Sequence, residues 1–140
     1  MKKMLKKKSK GFTLVELLIV IIIIGMLAGM MMLSTGGATA KAEATKIVSD
    51  MRNMKAAAVM VYADGGDWPE KIGDLSEYLD GTVKSGDANP TTIGKGKFTV
   101  TSAEIKVEVT EEDIIKALDK MSDAVKPVSG ETGVYTMTIK

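Results

Sequence analysis

Glu16 is the one acidic residue in an apolar stretch that runs from Phe12 to Leu33. A carboxylate costs roughly 2.5–3.5 kcal/mol at the centre of a bilayer and less near its surface, so acids in such stretches are usually functional. The 22 residues would form an α-helix about 33 Å long at ~1.5 Å per residue, and the hydrocarbon core of a bilayer is ~30 Å thick. We therefore predict a membrane-spanning helix with a functional carboxylate near its start.

The eleven residues before this stretch are strongly basic. They contain six lysines and no acid, whereas only Lys41 and Lys46 follow the stretch closely. Positively charged flanks stay on the cytoplasmic side of a membrane. We expect the N-terminus to lie in the cytoplasm and the C-terminal part to lie outside.

The segment Lys10-Gly-Phe-Thr-Leu-Val-Glu16, followed by the apolar stretch, resembles the N-terminus of type IV prepilins and of type II secretion pseudopilins. In that family a prepilin peptidase cleaves after the glycine, and the new N-terminal residue is then usually N-methylated. The resemblance implies cleavage between Gly11 and Phe12 and methylation of Phe12. It covers residues 10–33 and says little about the rest of the chain.

Two alternatives explain a basic start followed by an apolar stretch. One is a secretory signal peptide, for which Ala38-Thr39-Ala40 offers a small-x-small cleavage site; the other is a plain single-pass anchor. Either would leave a membrane-tethered or secreted monomeric binding module. Signal peptides have apolar cores of about 7–15 residues, whereas Leu17–Leu33 alone has 17, and this length favours the prepilin interpretation.

Composition argues against several functions. The chain has no cysteine, so it can form neither a disulfide nor a thiolate metal site, and it has no histidine, the commonest general base. Cleavage at Gly11 would leave 13 Lys and Arg against 18 Asp and Glu, a net charge of −5. We therefore expect no enzyme activity, no cofactor, no bound metal and no nucleic-acid partner. Asp64, Asp67 and Asp74 could offer oxygens to calcium, but they lack the spacing of an EF-hand, and we interpret them as solvated turn residues.

Residues 38–63 have the pattern of an amphipathic helix. Its apolar positions are three and four residues apart, and a turn at Asp64-Gly65-Gly66-Asp67 ends it. The predicted apolar stripe consists of Ala44, Ile47, Met51, Met54, Ala58 and Val61.

The remaining residues predict a small mixed domain. We expect a short helix after Pro69, a loop over 82–96, a hairpin turning at Thr101–Glu104, a helix over 111–125 with Thr110 as its N-cap, and a strand over 134–139. The predicted class is α+β, with a long N-terminal helix packed on a small antiparallel sheet. Its first half would span the membrane and its second half would be amphipathic. Pilins resemble this plan, although the position of helix 111–125 does not follow from it.

Four glycines of the predicted long helix are candidates for helix packing or for a kink. Gly25 and Gly29 form a small-xxx-small pair that allows another helix to approach closely, although glycine is also common in membrane helices. Gly36 and Gly37 are adjacent and would weaken the helix by about 1 kcal/mol each relative to alanine. This pair is the predicted kink.

The resemblance implies a structural subunit of a type IV pilus-like filament or a pseudopilin of a secretion or competence system. We expect a leader at 1–11, a transmembrane and assembly helix at 12–35 and an outer domain at 36–140. The implied partners are the prepilin peptidase, the inner membrane, other copies in a helical filament, and the assembly platform and ATPase of the machine. The chain would reside in the inner membrane as a precursor and in a surface or periplasmic filament after assembly. There Glu16 of one subunit could pair with the positive Phe12 amine of its neighbour.

Overall fold

The computed structural model describes residues 11–140, with the backbone alone for residues 33–35. The lysines of the predicted leader lie outside the described residues. The first element is α1, which extends over Leu14–Gly65. The helix ends at the predicted turn, Asp64-Gly65-Gly66-Asp67. There Gly66 adopts a positive φ of 79°, and its N–H donates to the Tyr62 carbonyl at 2.8 Å. Glycine reaches this backbone conformation without the steric cost of a side chain.

The chain divides into two compact units, with the boundary between Gly36 and Gly37. The helical assignment of α1 continues across this pair, so the structure has no helix break there. The predicted kink at Gly36 and Gly37 stays a prediction, as do the predicted segment boundaries.

The second unit contains a five-stranded antiparallel sheet. Its strands are β1 (Thr91–Ile93), β2 (Gly96–Val100), β3 (Glu104–Glu108), β4 (Lys126–Pro127) and β5 (Val134–Thr138), and their order across the sheet is β1-β2-β3-β5-β4. The predicted hairpin is confirmed as β2 and β3, in which Phe98 lies opposite Val107 and Val100 opposite Ile105. The predicted final strand is confirmed as β5, and it pairs with β3.

The core of the second unit lies between one face of α1 and one face of the sheet. Strand residues alternate between buried and outward positions, as expected for a sheet covered on one side. The predicted stripe of α1 is buried, with Val61 half-buried at its end. The α+β class with a long helix on a small sheet is therefore confirmed. The largest fully buried side chains are Tyr135, Phe98, Met51, Met54, Ile72 and Leu75.

Three predicted elements need correction. The loop over 82–96 contains β1, a three-residue edge strand whose Thr-Thr-Ile sequence is too short to show an alternation. The segment after Pro69 forms a 3₁₀ helix at Ile72–Leu75, shorter than the predicted helix. The helix over 111–125 is the eight-residue α2, Glu112–Asp119, and turns and β4 follow it. Its N-cap is Glu111 instead of Thr110, without a side-chain capping bond.

Asn89 holds the long connection before β1 in place. Its side-chain oxygen accepts hydrogen bonds from the N–H groups of Ile72 and Val100, both at 3.1 Å. Its amide donates to the carbonyls of Glu70 at 3.0 Å and Val100 at 2.5 Å. One side chain thus substitutes for missing backbone pairing between the 3₁₀ segment and β2, which the polar composition of this stretch did not indicate.

Candidate functional site

The predicted site residue Glu16 belongs to a capping box at the start of α1. Its Oε2 accepts hydrogen bonds from the Thr13 backbone N–H at 2.7 Å and from Thr13 Oγ1 at 2.9 Å. In return, the Glu16 N–H donates to Thr13 Oγ1 at 3.2 Å. These reciprocal bonds satisfy donors that every helix N-terminus leaves unpaired. The carboxylate is thereby held next to the predicted cleavage point.

Both hydrogen bonds that the Glu16 side chain accepts end on Oε2. The other oxygen, Oε1, has no hydrogen-bond partner within residues 11–140. The site therefore contains a positioned anion with one oxygen available to an external donor or cation. Thr13 is the site residue that the sequence analysis missed, although the Ser/Thr-x-x-Glu signature before an apolar stretch would have revealed it.

Gly11 and Phe12 precede the helix and are fully accessible. Both lack regular secondary structure, and Phe12 is 92% exposed. Among the described residues beyond its chain neighbours, none lies within 4 Å of the position that a Cβ on Gly11 would take. A protease needs access to the peptide bond that it cleaves, and the exposure of both residues makes the Gly11–Phe12 bond accessible in this respect.

The apolar side chains from Leu14 to Met32 are all exposed, with exposed fractions from 48% to 84%. Among the described residues, α1 is the one helix that is long and apolar enough to cross a membrane, judged by length and composition. An apolar surface of this extent is unfavourable in water. It needs lipid or other apolar helices as its surroundings.

The glycines of this stretch leave the helix surface open. Apart from the backbone of the helix itself, a Cβ at Gly25, Gly29, Gly36 or Gly37 would meet nothing within 4 Å among the described residues. Small residues of this kind allow close approach of a second helix. Their role in packing stays a prediction.

Two of the three aspartates considered for calcium, Asp74 and Asp64, form separate sets of hydrogen bonds. Asp74 Oδ2 accepts hydrogen bonds from the N–H groups of Glu70 and Lys71, both at 3.1 Å. Asp64 accepts a hydrogen bond from the Tyr78 hydroxyl, which raises the pKa of that tyrosine. No group of three or more Asp, Glu, His or Cys side chains within residues 11–140 is arranged to hold a metal ion.

The chain matches one family model, described as the prokaryotic N-terminal methylation motif, over residues 6–32. It is 31% identical over 123 residues to a type IV major pilin protein, PilE1, of Neisseria gonorrhoeae, an alignment that covers 88% of this chain and 59% of the pilin. It is 35% identical over 98 residues to a fimbrial protein of Neisseria meningitidis serogroup A, covering 70% of this chain and 51% of that protein.

A third relative comes from a secretion machine. The chain is 35% identical over 63 residues to the type II secretion system core protein G of Klebsiella pneumoniae, which covers 45% of either chain. Across these three relatives the chain spans about half of the relative's length. The match to the family model includes the segment that carries Gly11, Phe12 and Glu16.

Proposed function

We propose that this chain, which belongs to the type IV pilin and pseudopilin family, is a structural subunit of a helical filament assembled from the inner membrane. The observation that carries the proposal is the exposed apolar surface from Leu14 to Met32 with a positioned carboxylate at its start. A surface of this kind is covered by lipid before assembly and by the same surface of other copies afterwards. Contacts of this type propagate head to tail without closing, which produces a filament.

Processing begins with cleavage between Gly11 and Phe12 by a membrane prepilin peptidase. It removes the basic residues and leaves Phe12 with a positive amine, which is then N-methylated. The amine lies in the residue directly before Thr13, and the Thr13 hydroxyl and N–H hold one oxygen of Glu16. The second oxygen is available for an amine supplied by another copy.

Assembly brings the Glu16 carboxylate of an incoming subunit to the Phe12 amine of its neighbour. In an apolar surrounding each charge alone is costly, and pairing reduces that cost for both. Because an unpaired charge is penalised, the pair also selects one axial register between neighbouring helices. The proposed partners are other copies of this chain and the assembly platform and ATPase that extract it from the membrane. The role is structural and uses no cofactor.

A second candidate within the family is a pseudopilin of a type II secretion system, and the match to core protein G favours it. Both candidates use the same processing, the same Glu16 contact and the same inner-membrane precursor. They differ in the machine that the filament serves and in whether the filament remains in the periplasm or reaches the surface.

Intact mass and N-terminal sequencing of the native protein test the processing step. We expect a mature chain that begins with methylated Phe12, and a Gly11→Val variant that accumulates as the heavier precursor because the valine side chain obstructs the protease. The matched control Gly36→Val changes a glycine far from the cleavage point and should mature normally. A mature chain that begins at Lys41, or a Gly11→Val variant that matures normally, would contradict the assignment.

A further inference from the structure

The outer part of α1 has a groove on each flank, and the two grooves differ in charge. The first, called the acidic groove, has a volume of about 370 Å³ and is lined by Asp50, Asn53 and Met60 of α1 and by Tyr78, Asp80 and Thr82 of the facing loop. The second, called the Arg52 groove, has a volume of about 430 Å³ and is lined by Thr45, Ser49 and Arg52 of α1 and by Met121, Asp123 and Ala124.

Asp50 and Arg52 cannot pair with each other within one chain. Two residues apart on an α-helix, they project about 200° apart around the axis at 3.6 residues per turn. Neither has an ion-pair partner within 4 Å among the described residues, although Asp123 lines the same groove as Arg52 and Lys46 lies near Asp50. Each flank therefore presents a charge without a partner at contact distance.

Asp50 is half-buried, and its surroundings favour an incoming cation. Burial raises the pKa of the Asp50 carboxyl, and the nearby Lys46 offsets this rise only in part. The acidic groove also contains Asp80, while Met60 and Ala57 supply apolar surface. An arginine side chain has an apolar stem and a flat charged end, which suits a groove with apolar walls and two carboxylates.

We propose that the acidic groove of one subunit receives Arg52 of a neighbouring copy, so that the two grooves form the two halves of one lateral contact between outer domains. This inference rests on the proposed filament function and adds a contact outside the apolar helix. A contact that joins two different flanks is heterologous, so it repeats from copy to copy as filament growth requires. It would orient the outer domains while Glu16 sets the register of the membrane helices.

Charge reversal tests the contact in cells that assemble the full chain. Arg52→Glu and Asp50→Arg alone should each lower the filament yield about tenfold or more, which corresponds to about 1.4 kcal/mol, because each places like charges in the contact. Co-expression of the two variants should restore filaments, since copies that alternate along the filament then bring opposite charges together at every contact. The double variant in a single chain should also assemble. Lys97→Glu, which makes the same charge change as Arg52→Glu on the sheet face opposite α1, should assemble normally.

Rescue by co-expression separates this contact from a folding defect, because a misfolded variant cannot be rescued by a second misfolded variant. Wild-type yield from either single variant would overturn the contact. Failure of both the mixture and the double variant would also overturn it. A wild-type chain that forms no filaments would instead contradict the proposed function, and this contact with it.

Disulfide trapping provides a second measurement that does not depend on filament yield. The chain has no cysteine, so every cross-link comes from the introduced residues. Thr45→Cys in the Arg52 groove combined with Thr82→Cys in the acidic groove should give a ladder of oligomers after oxidation of intact filaments. Each cysteine alone should give no ladder. Filaments without a ladder from the double-cysteine chain would show that the grooves do not meet, and this would overturn the contact.

Discussion

Two stretches of α1, residues 14–32 and residues 40–58, both contain many apolar side chains, yet these meet opposite surroundings. In the first stretch every large apolar side chain is exposed by 48% or more, whereas Ala44, Met51 and Ala58 of the second are fully buried. The second stretch alternates apolar and polar positions with a helical period, so one face is covered by the sheet of the same chain. The first has apolar residues all round, and its side chains are left exposed within residues 11–140. Hydrophobicity alone therefore does not specify a core. The distribution of apolar residues around the helix decides whether they are covered by the sheet of the same chain or need lipid or another molecule.

Particular glycines of the two units differ in what surrounds them. Those of the first stretch, Gly25 and Gly29, have open space where a Cβ would stand. In the second unit, a Cβ at Gly96 would lie 2.8 Å from a Val107 methyl group, and one at Gly133 would lie 2.3 Å from the Val109 carbonyl oxygen. Gly96 and Gly133 thus let the chain pack closely against itself, whereas packing of another helix against Gly25 and Gly29 stays a prediction.

The largest expected effect comes from placing a charge in the buried face of α1. In a truncated chain that begins at Ala38, Met54→Asp should remove cooperative unfolding, because an unpaired buried carboxylate costs about 4 kcal/mol or more, a large share of a small domain's stability. The truncated wild-type chain should fold, since the core contains only residues from Ala40 onward. Thermal unfolding followed by circular dichroism provides the measurement.

Met60→Asp is the matched control, because Met60 is 52% exposed on the other face of the same helix. Its free energy of unfolding should change by less than about 1 kcal/mol. If Met54→Asp and Met60→Asp were equally stable, the division of α1 into a covered and an uncovered face would be wrong.

A smaller effect is expected at Gly133. Gly133→Ala should lower the free energy of unfolding by about 2–3 kcal/mol, because its φ of 75° is unfavourable for alanine and the new methyl group would overlap the Val109 carbonyl. Gly130→Ala shares the positive φ, here 87°, but meets nothing within 4 Å, so it should cost about 1 kcal/mol. Denaturant unfolding of both variants measures the difference, and equal losses would show that the close approach at Gly133 contributes nothing.

The smallest of these effects concerns Tyr135, which connects β5 to α2. Its hydroxyl donates to Asp119 Oδ1 at 2.7 Å and lies 3.1 Å from the Ile115 carbonyl. Burial and the Asp119 carboxylate raise the pKa of Tyr135. The folded chain therefore keeps this proton at alkaline pH values where the unfolded chain, with a tyrosine pKa of about 10, has lost it. The contribution of Tyr135 is complete below about pH 10 and falls as the pH rises further.

Tyr135→Phe should accordingly lower the free energy of unfolding by about 1–2 kcal/mol at pH 7. Above pH 10 the free energy of unfolding of this variant should fall less steeply with pH than that of the wild type. Urea unfolding at pH 7 and across the alkaline range provides both values. If the free energy of unfolding of Tyr135→Phe fell with pH as steeply as that of the wild type above pH 10, the fall would have to come from other titratable groups.

The sequence predicted the elements whose signal is periodic. The stripe from Ala44 to Val61, the hairpin of β2 and β3 and the last strand each contain several regularly spaced apolar residues, and all three were found. Elements held by single polar contacts were missed or misplaced. One case is the connection that Asn89 links by hydrogen bonds to Ile72 and Val100. Another is β4, which has only two residues at a sheet edge. Neither has a local sequence pattern that would predict it.

The candidate site was predicted in part. Glu16 was singled out by its charge in an apolar stretch, and Gly11 and Phe12 by resemblance to a family, and the roles of all three stay predictions. Thr13, whose hydrogen bonds position Glu16, was overlooked. The charged grooves around Asp50 and Arg52 could not be predicted, since the loop at 78–82 and the turn at 121–124 that complete them are distant in sequence. Family resemblance marked the residues of the shared segment, whereas the contacts of the outer domain required the fold.

The most direct test of the central claim is the amount of filament formed by Glu16→Ala as the only subunit in the cell. The variant should still lose its leader and remain in the membrane, since the change makes the helix more apolar. Its filament yield, measured by electron microscopy and by recovery of sheared filaments, should fall at least about tenfold because the Phe12 amine loses its partner. Glu77→Ala, an exposed acid in the outer domain, should assemble like the wild type. Abundant filaments made of Glu16→Ala alone would contradict the account.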